Sequence, residues 1–188
     1  MRKSAATAIV ARRLAMPEGR AAALVQRASE AGLLPTAQGS AVPDLTTADL
    51  VNVFLAIAAD RGLGVAAAGV REFGGLTDDT GTTLHGALTD LFGHGPALAG
   101  AVNGSLILRL DPASVALTAG GHFRRFGPEP PPGAAGKHVV VPGQTLAAIG
   151  LELQGYSPGE ADALVALARV SASASVGQAM HPRPGATR

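Results

Sequence analysis

Residues 5–34 read AATAIVARRLAMPEGRAAALVQRASEAGLL, and the placement of Pro and Gly in this stretch decides how the chain begins. An apolar-periodic segment from Thr7 to Leu14 meets a tight break at Met16-Pro17-Glu18-Gly19. A longer helical signal follows from Arg20 to Ala31, with Leu24, Ala28 and Ala31 on one face and Arg20, Ala23 and Arg27 on another. Gly32 suits the left-handed position just past a helix, Leu33 supplies the apolar contact that accompanies it, and Pro35 bars continuation. Two helices joined by so short a turn form a helix-turn-helix.

A third helix is predicted from its start. Thr46-Thr47-Ala48-Asp49 fits a capping box with Asp in the acidic position, and Leu45 with Leu50 fits a hydrophobic staple. The segment then runs LVNVFLAIAADR to about Arg61, apolar on most sides, which predicts a buried helix. Between the second and third helices, residues 35–44 (PTAQGSAVPD) read as a loop in the place of a wing, without Lys or Arg to meet phosphate.

Charge is concentrated in the same segment. The whole chain of 188 residues carries a net charge of only +1. Residues 1–30 hold Arg2, Lys3, Arg12, Arg13, Arg20 and Arg27 against Glu18 and Glu30, a local charge of +4. A polar, basic second helix is the element that enters a DNA major groove, and local charge, not the total, steers a protein to a polyanion. On this reading the DNA-contacting residues are Lys3, Arg12, Arg13, Arg20, Gln26 and Arg27. The pattern resembles winged helix-turn-helix domains of bacterial and phage proteins. The residues that carry the resemblance are Ala11, Arg13, Leu14 and Pro17, then Leu24, Ala28, Ala31, Gly32, Leu33 and Leu34. It departs from that family at Met16-Pro17, where a Gly or small residue is usual, and in a loop that is not basic.

The rest of the chain changes period. Residues 62–81 read as loop with a short helical continuation at 65–73, and Thr83 to Phe92 as a short helix. Residues 93–104 are punctuated by glycines. Ser105–Leu110, Val115–Thr118, His122–Phe126 and Lys137–Val141 are β-compatible runs separated by the turn signals Asp111-Pro112 and Gly120-Gly121 and by a Pro/Gly linker at 127–136. They predict a small antiparallel sheet in which the last run returns to pair. Thr145–Leu153 and Pro158–Val170 close the fold as helices, the second begun by Ser157, Pro158 and Glu160. Its apolar stripe of Leu164, Val165 and Leu167 predicts self-association. The tail from Ser171 lacks periodicity and is expected to be disordered.

Several chemistries are disfavoured. With no cysteine there is no disulfide and no thiolate ligand or nucleophile. Gly62-Leu63-Gly64-Val65-Ala66-Ala67 mimics a dinucleotide fingerprint, but it follows a helix rather than a strand. The histidines at 85, 94, 122, 138 and 181 form no paired metal-binding spacing, Asp78-Asp79 sits in a Gly/Thr-rich loop, and no serine has a nucleophile-elbow setting. His122, Arg124 and Arg125 beside Phe123 and Phe126 read as strand residues that alternate between core and solvent. No secretory leader and no apolar run approaching ~20 residues is evident, which points to a cytoplasmic protein.

The sequence therefore predicts an α+β protein without cofactor, metal or catalytic site. Residues 1–61 form a winged-helix-like DNA-binding unit, 62–104 a helical and loop connector, 105–170 a self-associating sheet-and-helix part, and 171–188 a disordered tail. The expected partner is double-stranded DNA, and the expected role is transcription regulation. The order of parts also resembles small terminase subunits of tailed phages, which implies DNA recognition for packaging. A non-enzymatic protein-interaction role is the alternative from another class.

Overall fold

The first two helices are oriented by the way the first one stops. In a computed structural model that describes residues 1–36, 43–131, 133 and 135–179, α1 spans Lys3–Arg13, beginning four residues earlier than Thr7. At its end the Met16 amide bonds the Ala11 carbonyl at 2.9 Å and the Ala15 amide bonds the Arg12 carbonyl at 3.2 Å. This paired closure places the residue past the helix in the left-handed region, and here that residue is Ala15, at φ 52°. The resemblance places a Gly or small residue where this chain has Met16-Pro17, and the structure puts the left-handed position one residue earlier, at Ala15.

α2 (Glu18–Glu30) ends by the same closure, now with the predicted glycine: Gly32 stands at φ 74° and the Leu33 amide bonds the Ala28 carbonyl at 3.0 Å. Two side chains tie down that end, Asn52 donating to the Leu33 carbonyl and Arg71 to the Ala31 carbonyl, each at 2.9 Å. α3 (Thr47–Ala58) starts with the predicted reciprocal capping box between Thr46 and Asp49. It is buried around most of its circumference, packing against α1, α2, α4 and α5. Six residues of the predicted wing loop, 37–42, lie outside the described residues.

The connector holds the two helical stretches read at 65–73 and 83–92 and a third among the glycines of 93–104. A 3₁₀ turn at Leu63–Val65 leads into α4 (Ala66–Gly75), followed by α5 (Leu84–Gly93) and α6 (Gly95–Ala101). Buried Val70 and Phe73 in α4 and Leu98 and Ala101 in α6 hold these glycine-bearing segments helical. Burial of several apolar side chains outweighs the propensity cost of about 1 kcal/mol per internal glycine.

The four predicted strands are present as β1 (Ser105–Leu110), β2 (Ala113–Ala119), β3 (His122–Phe126) and β4 (His138–Pro142). They form one antiparallel sheet in the order β3-β2-β1-β4. The chain after β3 therefore makes its Pro-rich excursion and returns to the opposite edge of the sheet. Leu106, Leu108, Leu110, Val115, Leu117, Phe126 and Val141 face inward, against α4, α6 and α7. Phe123, Arg125, Ala116, Ile107 and Val140 lie on the opposite face by the alternation of the pleat.

α7 (Gly143–Leu153) leaves the sheet at a tight crossing with the end of α6. A Cβ on Gly104 would lie 1.8 Å from the Thr118 carbonyl oxygen and one on Gly143 would lie 2.0 Å from that of Ala101. Only glycine permits the approach. α8 (Pro158–Ala179) begins with the predicted Ser157–Glu160 capping box and continues nine residues beyond Val170. Residues 171–179, expected to be disordered, are helical, because their Ala/Ser run contains no proline and a single glycine. The remaining tail, 180–188, lies outside the described residues.

Eight helices and a four-stranded antiparallel sheet thus make an α+β architecture among the described residues. The boundaries drawn in the sequence at 61 and 104 do not divide the core: buried side chains from Ala6 to Val165 belong to one hydrophobic cluster. Phe54 of α3 meets Phe92 of α5 edge to face at 5.5 Å near its centre. At the α1–α2 turn, Ala15→Gly should relieve the left-handed strain and stabilise the fold by roughly 1 kcal/mol. The urea midpoint should rise, and an unchanged or lower midpoint would contradict the strain assigned to Ala15.

Candidate nucleic-acid interface

The six side chains selected from the sequence do not share one surface environment. Arg13 is turned into the molecule. Its Nε donates to Glu152 Oε1 at 2.5 Å and its Nη1 to Asp162 Oδ1 at 2.7 Å, and Arg12 donates to the other oxygen of Glu152. Glu152, on α7, is only 2% exposed, and Arg13 only 17%. This cluster joins α1 to α7 and α8. Lys3 Nζ donates to the hydroxyl of buried Ser29 at 3.0 Å, pinning the start of α1 to the end of α2.

Arg20 forms a two-pronged pair with Asp60, just past α3, at 2.9 and 2.8 Å. The fork of Arg20 holds the Asp60 carboxyl below its usual range. A bidentate pair of this kind fixes both side chains geometrically, so Arg20 braces α2 against the end of α3.

Gln26 and Arg27 have a different setting. Both are exposed, and their polar partner is Glu30 on the same helix, at 3.1 and 3.0 Å. These bonds hold Glu30 below its usual range, Gln26 contributing first and Arg27 next. Arg27 is 58% exposed. The solvent face of α2 runs Glu18, Gly19, Ala22, Ala23, Gln26, Arg27 and Glu30, so between Glu18 and Gln26 it presents only small residues. Between α2 and β1 the described residues contain no β-ribbon, only an isolated bridge from Thr77 to Thr83.

The acidic partners escape a reading of the sequence to different degrees. Glu30 lies three and four residues after Arg27 and Gln26, a spacing that announces the contact. Glu152, Asp162 and Asp60 lie 139, 149 and 40 residues from the arginines they meet, and no local signal marks them.

The other candidates resolve as structure. Asp78 is buried in the loop between α4 and α5. It accepts from Thr80 Oγ1 at 2.7 Å, from the Thr80 and Thr82 amides, and from Arg124 at 2.9 and 2.6 Å. The hydroxyl bond from Thr80, then Arg124 and the Thr82 amide, hold its carboxyl down at about 2 against the opposing effect of burial. The loop is thereby tied to β3, and Arg124 also lies over the Phe126 ring at 5.1 Å. His85 Nε2 donates to the Ala48 carbonyl at 3.2 Å and His94 Nδ1 to the Asp90 carbonyl at 2.8 Å. Among the described residues no cluster of three or more His, Asp or Glu side chains is placed to hold a metal ion. Gly62, at φ 120°, begins the 3₁₀ turn after α3, in the helix-exit setting and not in a strand-to-helix turn. No helix among the described residues is long and apolar enough to cross a membrane.

No family model, curated protein or solved structure matches the chain. The site is therefore read from its own geometry.

Two substitutions test the assignments. Replacing Arg12 and Arg13 together by Ala leaves Glu152 buried without a cation, and should cost about 3 kcal/mol or more, measured by urea unfolding; a loss below about 1 kcal/mol, the worth of a surface pair, would contradict the buried linkage. Asp78 has a folded pKa below its ordinary 3.8, so its contribution is complete above that value and is lost as pH falls towards about 2. Asp78→Asn should therefore be less stable than wild type at neutral pH. The difference in their unfolding midpoints should shrink between pH 3.8 and about 2.

Proposed function

We propose that the protein binds double-stranded DNA through the outward face of α2, presented by the α1–α2 helix-turn-helix. The observation that carries this reading is that Gln26 and Arg27 alone among the six candidate side chains are exposed with a partner only on their own helix. A solvent-exposed pair such as Arg27–Glu30 has little stabilising worth, and a DNA phosphate can take the place of the carboxylate. The small residues at Gly19, Ala22 and Ala23 allow the helix backbone a close approach to a groove. Gln26 then lies at the depth where an amide reads an adenine edge, and Arg27 where a guanidinium meets phosphate or guanine.

Arg13, Lys3 and Arg20 serve this function indirectly. Their contacts with Glu152, Ser29 and Asp60 set the orientation of the hairpin. Arg12 remains half exposed at the rim and adds charge. Within DNA-binding roles, transcription regulation is the favoured assignment and recognition of DNA for packaging the alternative, by the order of parts noted in the sequence.

A second reading is favoured by the partnering itself. Each of the six candidate side chains has an intramolecular acceptor, which is also what a protein-binding helical hairpin would show. Mobility-shift measurements on the full chain separate the two. Binding should weaken with salt, and Gln26→Ala with Arg27→Ala should reduce affinity and flatten the log–log salt slope by about one unit. Glu30→Gln, which removes the competing carboxylate, should tighten binding. No binding to any duplex at low salt would eliminate the DNA reading and leave the protein-interaction one.

A further inference from the structure

We infer that Arg71, on α4, is a further contact of this chain with DNA, a cation that takes a backbone phosphate at the C-terminal end of α2. The inference rests on the DNA reading of α2 and extends that surface to a residue outside the six chosen from the sequence. What sets Arg71 apart is an unmatched charge. Arg12, Arg20, Arg27, Arg61, Arg124 and Arg125 each lie within salt-bridge distance of a carboxylate. Arg71 is exposed, and its one hydrogen bond runs from Nη2 to the Ala31 carbonyl at 2.9 Å. The carboxylates beside it in sequence and at the end of α2 are engaged elsewhere, Glu72 by Arg61 and Glu30 by Gln26 and Arg27.

The end of α2 explains how the arginine is held. The last carbonyls of a helix carry the negative end of its dipole and attract a cation, which accounts for the bond to Ala31. That bond uses one of the five donors of a planar guanidinium. Nε and Nη1 meet no acceptor among the described residues and are not shut off from solvent. A bond to a neutral carbonyl also leaves the charge uncompensated, whereas Arg27 and Glu30 together sum to zero. Arg71 therefore gives this end of α2 a positive charge.

The position fits a duplex strand that passes along α2. The Ala31 amide bonds the Arg27 carbonyl, so Arg27 and the residue that holds Arg71 are one turn apart, about 6 Å along the axis. One DNA strand rises about 3.4 Å per nucleotide, so the two guanidinium groups fall within reach of neighbouring phosphates. α4 packs on α2 and α3, and Val70 and Phe73, on either side of Arg71 in sequence, are buried. An arginine rooted on a packed helix and tethered at one nitrogen gives up less side-chain freedom on binding than a free one. Arg71 stems from α4 and not from the face of α2 turned to a groove, so it meets the DNA backbone and carries no sequence information.

Mobility shifts of the full chain on mixed-sequence duplexes, taken across a range of salt, test the contact. Arg71→Gln separates charge from capping, since its amide can still donate to the Ala31 carbonyl. This variant should keep the wild-type circular dichroism spectrum, bind every duplex more weakly in the same proportion, and flatten the log–log salt slope by about one unit. Arg71→Lys, which keeps the charge, should retain the wild-type slope. Combined with Gln26→Ala and Arg27→Ala, Arg71→Gln should bring the total flattening to about two units. A wild-type slope in Arg71→Gln, with Gln26→Ala and Arg27→Ala still weakening binding, would overturn the inference and leave the DNA reading of α2 standing. Equal flattening by Arg71→Gln and Arg71→Lys would assign the effect to the cap on α2 and overturn it as well. A wild-type chain that binds no duplex at low salt would remove the inference together with the reading beneath it.

Discussion

The buried carboxylate of Glu152 is the constraint on which the placement of the N-terminal hairpin depends. It lies on α7, a helix enclosed by α1, α5, α6 and the sheet, where water cannot satisfy it. A carboxylate so placed is tolerated only when cations and hydrogen bonds compensate its lost hydration. Arg12 and Arg13 do so from α1, and Arg13 continues outward to Asp162 at the start of α8. One cluster thus joins the first helix of the chain to its last two. It also explains why the hairpin is not an independent module: the residues that give segment 1–30 its positive charge are partly spent inside the molecule.

This has a consequence for how the local charge of +4 is read. Counting charged residues along a segment treats every one as available to a partner. In the folded chain Arg13 and Arg20 are matched by carboxylates from distant segments, and Arg27 and Gln26 share Glu30 on their own helix. The accessible positive field is therefore smaller than the sequence suggests, and on α2 Arg27 stands between Glu18 and Glu30.

The sheet plays a supporting part. Its inner face completes the core beneath α4, α6 and α7, and the pairing of β4 with β1 sets the start of α7, which follows β4 directly, beside the start of β1. There Gly104, just before β1, and Gly143, the first residue of α7, lie backbone against backbone. The Asp78–Arg124 pair fixes the α4–α5 loop to the outer strand in the same way that Glu152 fixes α1, by satisfying a buried carboxylate from a distant arginine.

The sequence by itself determined the elements whose signals are local. The caps at Thr46–Asp49 and Ser157–Glu160, the glycine stop at Gly32, the period-2 runs of the four strands and the α+β class all follow from interactions within a few residues. Such interactions are fixed by composition and spacing alone. Where the signal was composition without spacing, the tertiary structure decided otherwise. The glycine-punctuated stretch 93–104 holds α6 because Leu98 and Ala101 found a core to enter, and the Ala/Ser run after Val170 continued as helix. The candidate site divides along the same line. The pairing of Gln26 and Arg27 with Glu30 is readable from helical spacing. The fate of Arg13 and Arg20 is not, because their partners lie 139 and 40 residues away, and only the folded chain brings a buried carboxylate to its cation.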